Sequence, residues 1–215
     1  MKNYKYCLFD AVGTLIHKPK FYLKFQEVIA KHGFEIDNED LLFKHKVLIE
    51  TIEFPDRTSE NFYKNFNFNL LQVLGISPTK ILLEEIFENC KNLEWERTTS
   101  SKILKEIGLP LVVVSNFNSS LSLILTNLYG NIFSDIIISE NIKVRKPNIE
   151  FYKYSLDKLG VKPKQCVYTG DSFKLDFIPS SNISLDFYLF DPINFYKVKE
   201  KKISKISQLK NKLFL

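Results

Sequence analysis

Four short, largely apolar segments, each followed by polar residues, constrain this chain more than any other feature. Tyr6–Phe9 stops at Asp10, and Leu109–Val114 stops at Ser115-Asn116. Phe133–Ile138 gives way to Ser139-Glu140, with the basic loop Lys143-Val144-Arg145-Lys146-Pro147 just beyond. Gln165–Thr169 ends at Gly170-Asp171-Ser172. Tyr6–Phe9 and Leu109–Val114 are short apolar runs that read as buried strands, and Phe133–Ile138 and Gln165–Thr169 are read as strands beside them. Segments with apolar residues at helical spacing separate them: Thr98–Ile107, Ser119–Leu128 and Asn148–Leu159, the last stopped by Gly160. Another strand is expected at Leu185–Phe190, and a strand fragment with a final helix in Ile203–Leu213. Strands alternating with helices imply an α/β fold whose parallel sheet is covered on both faces.

The stretch from Pro19 to Glu94 has a different texture. Phe21, Phe25, Val28 and Ile29 recur at helical spacing as far as His32-Gly33. Asp37 or Asn38 caps a second helix running through Ile52, closed by Pro55. Ser59 opens a third that ends at Gly75, and Ser77-Pro78 supplies an N-cap and a first-turn proline for a fourth through Cys90. Four consecutive helices with short joints form a small bundle, with the Phe stripe as its core.

Composition excludes several classes of partner. The formal charge is +5, but the excess comes from 27 Lys dispersed along the chain, with Arg only at Arg57, Arg97 and Arg145. Arg is the residue that reads phosphates and bases bidentately, so nucleic acid is not an expected partner. Cys7, Cys90 and Cys166 are widely spaced and odd in number, which fits a reduced, intracellular setting. Behind Lys2 and Lys5 the apolar stretch is interrupted by Asp10, too soon for a signal peptide. No run reaches the roughly 18 apolar residues of a membrane span. A cytoplasmic protein with no membrane partner is expected; no feature speaks to oligomeric state.

In a parallel sheet all the polar strand ends share one edge. A lone acid there is usually a helix cap. Two acids, a hydroxyl and a Lys on successive strand ends are harder to assign to capping. Together they suit phosphoryl transfer. Asp10 and Asp171 are hard oxygen ligands fit for Mg²⁺. An Asp carboxylate is also an established nucleophile that forms an aspartyl-phosphate. Lys146 brings a point charge, and Ser115, just before a helix, brings a hydroxyl donor and nearby backbone N–H groups. Gly13 and Gly170 let the backbone come close to a ligand.

These residues resemble the four motifs of the haloacid dehalogenase superfamily, in order and with ordinary spacing, over essentially the whole chain. They are Asp10-Ala11-Val12-Gly13-Thr14-Leu15, Val114-Ser115-Asn116, Lys146-Pro147 before a helix carrying Phe151-Tyr152, and Gly170-Asp171-Ser172 with Asp176 beyond. The resemblance implies a Rossmann-like three-layer core formed by residues 1–17 and 95–215. It also implies a helical cap, residues 18–94, inserted between the first two motifs. Asp10 would be the nucleophile and a Mg²⁺ ligand, with the Val12 carbonyl and Asp171 as further ligands and Asp176 supporting the metal. Ser115, Asn116 and Lys146 would hold the substrate, a small phosphorylated metabolite.

One departure bears on rate. The superfamily's phosphatases carry a second Asp two residues after the nucleophile, which protonates the leaving group and then activates water. Here that position is Val12, which does neither. General acid–base help is worth about 10²–10⁴-fold, so weak turnover, or a bias to good leaving groups, is expected. His17, just past Leu15, is a candidate replacement. Two other readings follow from Val12: a relative that binds a ligand or protein without turnover, and a carbon–halogen hydrolase, whose leaving group needs no proton. A second departure is Ile178-Pro179-Ser180-Ser181 after Asp176, which is expected to shorten or displace the helix there.

Overall fold

The computed structural model describes residues 3–213; the expected core's extreme positions, residues 1, 2, 214 and 215, lie outside them. The chain divides into two compact units, one made of Met1–His17 with Arg97–Leu215 and the other of Lys18–Glu96. Among the described residues no helix is long and apolar enough to cross a membrane.

The strands in chain order are β1 (Tyr6–Phe9), β2 (Ile16–His17), β3 (Glu96–Arg97), β4 (Leu111–Ser115), β5 (Phe133–Ile138), β6 (Cys166–Gly170), β7 (Asp186–Phe190) and β8 (Lys202–Ile203). Six of them form one sheet in the order β5-β4-β1-β6-β7-β8, every pairing parallel, while β2 and β3 form a separate two-stranded sheet. In register, Leu8, Val112, Tyr168 and Phe187 turn to one face, and Cys7, Phe9, Val113 and Val167 to the other. All of them are buried, which is why the strands read as unbroken apolar runs rather than alternating ones. Cys7 and Cys166 are free thiols inside this core. Because β1 lies between β4 and β6, the chain reverses its progress across the sheet there, where ligand crevices form in open α/β folds.

The second unit is four helices: α1 (Lys20–Lys31), α2 (Asn38–Thr51), α3 (Glu60–Val73) and α4 (Lys80–Cys90). Phe25, Val28, Ile29, Leu41, Phe66, Leu70, Leu82 and Ile86 share its core, as the periodicity of each helix requires. Asp37 caps α2 by accepting from the N–H groups of Glu39 and Asp40, and Ser59 caps α3 through Phe62. The cap of α4 is Thr79 rather than Ser77: its side chain accepts from Leu82 N–H at 3.2 Å, so Pro78 precedes the helix instead of opening it.

Helices α5 (Leu121–Tyr129), α6 (Ser139–Ile142), α7 (Ile149–Lys158), α8 (Ile178–Asn182) and α9 (Ser207–Leu213) belong to the first unit. Phe151, Tyr152 and Leu156 of α7 pack on the sheet face that carries Leu8 and Val112. Two expectations shift and one holds. Strand β4 begins at Leu111, not Leu109: Pro110 has no N–H for the ladder and joins only by its carbonyl, which accepts from Cys7 at 3.0 Å. The helix expected at Thr98–Ile107 is a 3-10 helix, Thr99–Glu106, in a Thr/Ser-rich stretch where the Thr98 carbonyl accepts both the Ser101 N–H at 3.0 Å and its hydroxyl at 2.7 Å. After Asp176 the helix is indeed short: a π-type turn, Phe173–Phe177, runs into α8 with Pro179 in its first turn.

His45 of α2 is a packing residue. It sits among the rings of Phe21, Tyr22 and Phe66 and shares a 3.0 Å hydrogen bond with the Tyr22 hydroxyl. Burial, and then Lys46, push its pKa down to about 3. A His held neutral when folded costs nothing above its unfolded pKa of about 6.5 and destabilises progressively as pH falls below it. Urea unfolding is therefore expected to show the helical unit about 1 kcal/mol less stable at pH 5 than at pH 7 on this account, after allowing for the ring's partial exposure. His45→Phe should remove that increment.

Candidate active site

The carboxyl end of β1 carries Asp10, whose N–H donates to the Thr169 carbonyl of β6 at 2.9 Å. The loop that follows is folded by its own backbone: Leu15 and Ile16 donate to the Ala11 carbonyl at 2.8 and 2.9 Å, and Gly13 donates to that of Ile16 at 2.9 Å. None of these bonds engages the Val12 carbonyl, and the Val12 side chain is 38% exposed. Gly13 has φ +86, and a Cβ there would collide with the Asp171 carboxylate. Gly170, at the end of β6, meets Asp176 in the same way. Absent side chains at both positions are what let these acids approach the strand ends.

Three carboxylates converge. One oxygen each of Asp10, Asp171 and Asp176 lies within 4.8 Å of the others, with Asp10 and Asp176 buried and Asp171 half-buried. Lys146, 3% exposed, is the cation among them. Its Nζ donates to Asp10 Oδ1 at 2.7 Å, to Asp176 Oδ1 at 2.7 Å and to the Tyr168 hydroxyl at 3.1 Å. Ser115, at the end of β4, donates to Asp10 Oδ1 at 3.2 Å. Both donors thus take the same oxygen of Asp10, away from Oδ2. Burial raises the Asp10 pKa, Lys146 lowers it and Asp176 and Asp171 raise it again, leaving it at about 7. Burial alone would push the Lys146 ammonium down, but Asp10 and Asp176 outweigh it and hold it above its ordinary value.

The surroundings show how each side chain is held. Asp176 accepts from Ser172 N–H at 3.0 Å through Oδ2 and from the Tyr168 hydroxyl through Oδ1. Tyr196 donates to the Asp171 carbonyl at 3.0 Å and accepts from Phe173 N–H. Asn116 pairs with the backbone of Lys146 in both directions, at 2.8 and 2.9 Å. Sequence reasoning missed Tyr168 and Tyr196. The signal for Tyr168 was a phenol inside a fully buried central strand, since such a hydroxyl requires a partner. Not every acid at a strand end joins the cluster. Asp191, just after β7, accepts from Phe195 and Tyr196 N–H and shapes its own loop. His17 lies on β2 and is not a member of the carboxylate group.

The donor set fits a hard divalent cation. Three buried or half-buried carboxylates face one ammonium, an excess of negative charge that an oxygen-seeking ion would balance. With Lys146→Met the two carboxylates it bridges lose their counter-charge. Urea unfolding in the presence of chelator should then show a loss of about 3 kcal/mol. Gly170→Ala should displace Asp176, and weakened Mg²⁺ binding by calorimetry, with the fold kept, is the expected signature.

Comparison with known proteins points one way. A family model described as haloacid dehalogenase-like hydrolase matches residues 4–178. A protein named glyceraldehyde 3-phosphate phosphatase, from Methanocaldococcus jannaschii, is 29% identical over 191 residues, 83% of this chain and 81% of its own length. Among solved structures, the HAD-hydrolase YfnB from Bacillus subtilis bound to magnesium superposes with TM-score 0.69 at 18% identity, covering 100% of both chains. An L-2-haloacid dehalogenase reaches the same TM-score at 13% identity, covering 99% of this chain and 100% of its own. At such identities the structural likenesses establish the fold alone.

Proposed function

This chain belongs to the haloacid dehalogenase-like hydrolase family, and on that premise we propose that it is a Mg²⁺-dependent phosphatase of a small phosphorylated metabolite, working through an aspartyl-phosphate at Asp10. The observation that carries this reading is the convergence of Asp10, Asp171 and Asp176 at one strand edge, with Lys146 and Ser115 both donating to Asp10. The name of the Methanocaldococcus relative supports a sugar-phosphate-sized substrate. The helical unit, Lys18–Glu96, is inserted in the chain between the first two motifs, and in this reading it serves as a cap.

In this reading Asp10 attacks phosphorus through the carboxylate oxygen that Lys146 and Ser115 leave free. The new oxygen–phosphorus bond forms as the bond to the leaving group breaks, and that group departs with the electron pair. Lys146 and Ser115 then hold the phosphoryl oxygens. Water attacks the aspartyl-phosphate, releases inorganic phosphate and restores Asp10. Asp10, Asp171 and the Val12 carbonyl would hold Mg²⁺, supported by Asp176. When bound, the ion offsets the charge repulsion between carboxylate and phosphate. Val12 supplies no proton to the leaving group and no base to the water. Substrates with weakly basic leaving groups therefore fit best, at a rate lower by a share of the 10²–10⁴-fold that acid–base help brings.

A phosphatase panel decides this. Turnover of acetyl phosphate and p-nitrophenyl phosphate is expected with Mg²⁺, and loss of it with EDTA or Asp10→Asn. No turnover by folded, Mg²⁺-loaded protein would overturn the reading; tight Mg²⁺-dependent binding without turnover would favour a binding protein. Halide release from 2-haloacids without metal would favour the carbon–halogen reading that Val12 also motivates. Val12→Asp is expected to raise turnover of alkyl phosphates by about 10-fold or more.

A further inference from the structure

Asn116 stands next to Ser115 and reaches a different part of the site. Its side chain lies edge to edge with the peptide of Lys146: Oδ1 accepts from the Lys146 N–H at 2.8 Å, and Nδ2 donates to the Lys146 carbonyl at 2.9 Å. Both functional groups of the amide are engaged by one residue, 30 positions further along the chain. No other neutral side chain of this length offers a donor and an acceptor in that edge geometry. The pairing joins the end of β4 to the loop before α7, a loop without regular structure of its own between α6 and α7.

The demand on that loop is stringent. Lys146 Nζ must lie 2.7 Å from both Asp10 and Asp176 at once, and it also donates to Tyr168. A Lys side chain has four rotatable bonds, so three fixed contacts at its tip hold only if its backbone is fixed as well. We propose that Asn116 is a positioning residue, whose amide anchors the Lys146 backbone and thereby sets where the ammonium meets Asp10, rather than a residue that contacts substrate. The adjacent residues 115 and 116 then divide the work: Ser115 orients the carboxylate of Asp10, and Asn116 orients its cation. The effect on turnover rests on the phosphatase reading above; the effect on Lys146 does not.

Two variants and two measurements test this. Asn116→Asp keeps the shape and the acceptor but has no N–H for the Lys146 carbonyl; Asn116→Ala removes both. In lysine-labelled protein, NMR should show the Lys146 ammonium as a distinct, protected signal, assigned by its loss in Lys146→Met. Both Asn116 variants should broaden or shift it while the other lysine signals and the backbone amides stay in place. In the same samples kcat for acetyl phosphate should fall about 10- to 100-fold with KM moved less than about threefold, the pattern of a misplaced group rather than a lost binding contact. A raised KM with kcat and the Lys146 signal unchanged would overturn the proposal and make Asn116 a substrate contact. Absence of wild-type turnover together with the stated NMR response would sink the phosphatase reading and leave this one standing.

Discussion

The placement of one buried cation governs the site. Lys146 brings a full charge to a position 3% exposed, which is costly unless that charge is paired and hydrogen-bonded. Here the pairing is with Asp10 and Asp176, both buried, and the Tyr168 hydroxyl takes the remaining proton. Each group needs the others: the two acids could not sit together beneath the strand ends without the ammonium, and the ammonium could not be buried without them. The elements around the site follow from this arrangement. Asn116 holds the Lys146 backbone, Ser172 holds Asp176 and Thr169 holds the backbone of Asp10.

The same site separates two demands that phosphoryl chemistry makes. Holding charge and geometry falls to Asp10, Asp171, Lys146 and Ser115, and those groups are assembled. Moving protons would fall to the residue two positions after Asp10, and there the chain has Val12, an exposed apolar residue. The loop's fold does not depend on that side chain, because its bonds run through the Ala11 and Ile16 backbones. A valine therefore sits in it without disturbing the position of Asp10, which is why the proposed chemistry is compatible with an unusual preference for leaving group.

Much of this was legible from residues alone. The central strands of the sheet follow from apolar runs, because strands buried on both faces have no polar side to alternate with. The acids and the Lys stood out because each closes such a run or follows one closely. What escaped was of two kinds. Local competition moved boundaries: Thr79 rather than Ser77 caps α4, Pro110 could not donate to the ladder, and the Thr98 carbonyl accepts both the N–H and the hydroxyl of Ser101 at the start of a 3-10 helix. Contacts between distant segments left no local trace. Tyr168 looked like one more core aromatic until its partners were visible, and nothing near Asn116 in the chain announced its bonds to the Lys146 backbone.

The sequence by itself determined the fold class and the edge of the sheet where the acids, the hydroxyl and the Lys gather. Strand periodicity and the order of polar strand ends are local properties, and a parallel sheet carries all such ends to one side. Only the tertiary structure decided how the charges are shared: that Lys146 bridges Asp10 and Asp176, that Tyr168 completes its hydrogen bonds, and that Asn116 spends its amide on a backbone. Those outcomes depend on distances between residues far apart in the chain, set by how the strands register and how closely glycines at 13 and 170 let the acids approach.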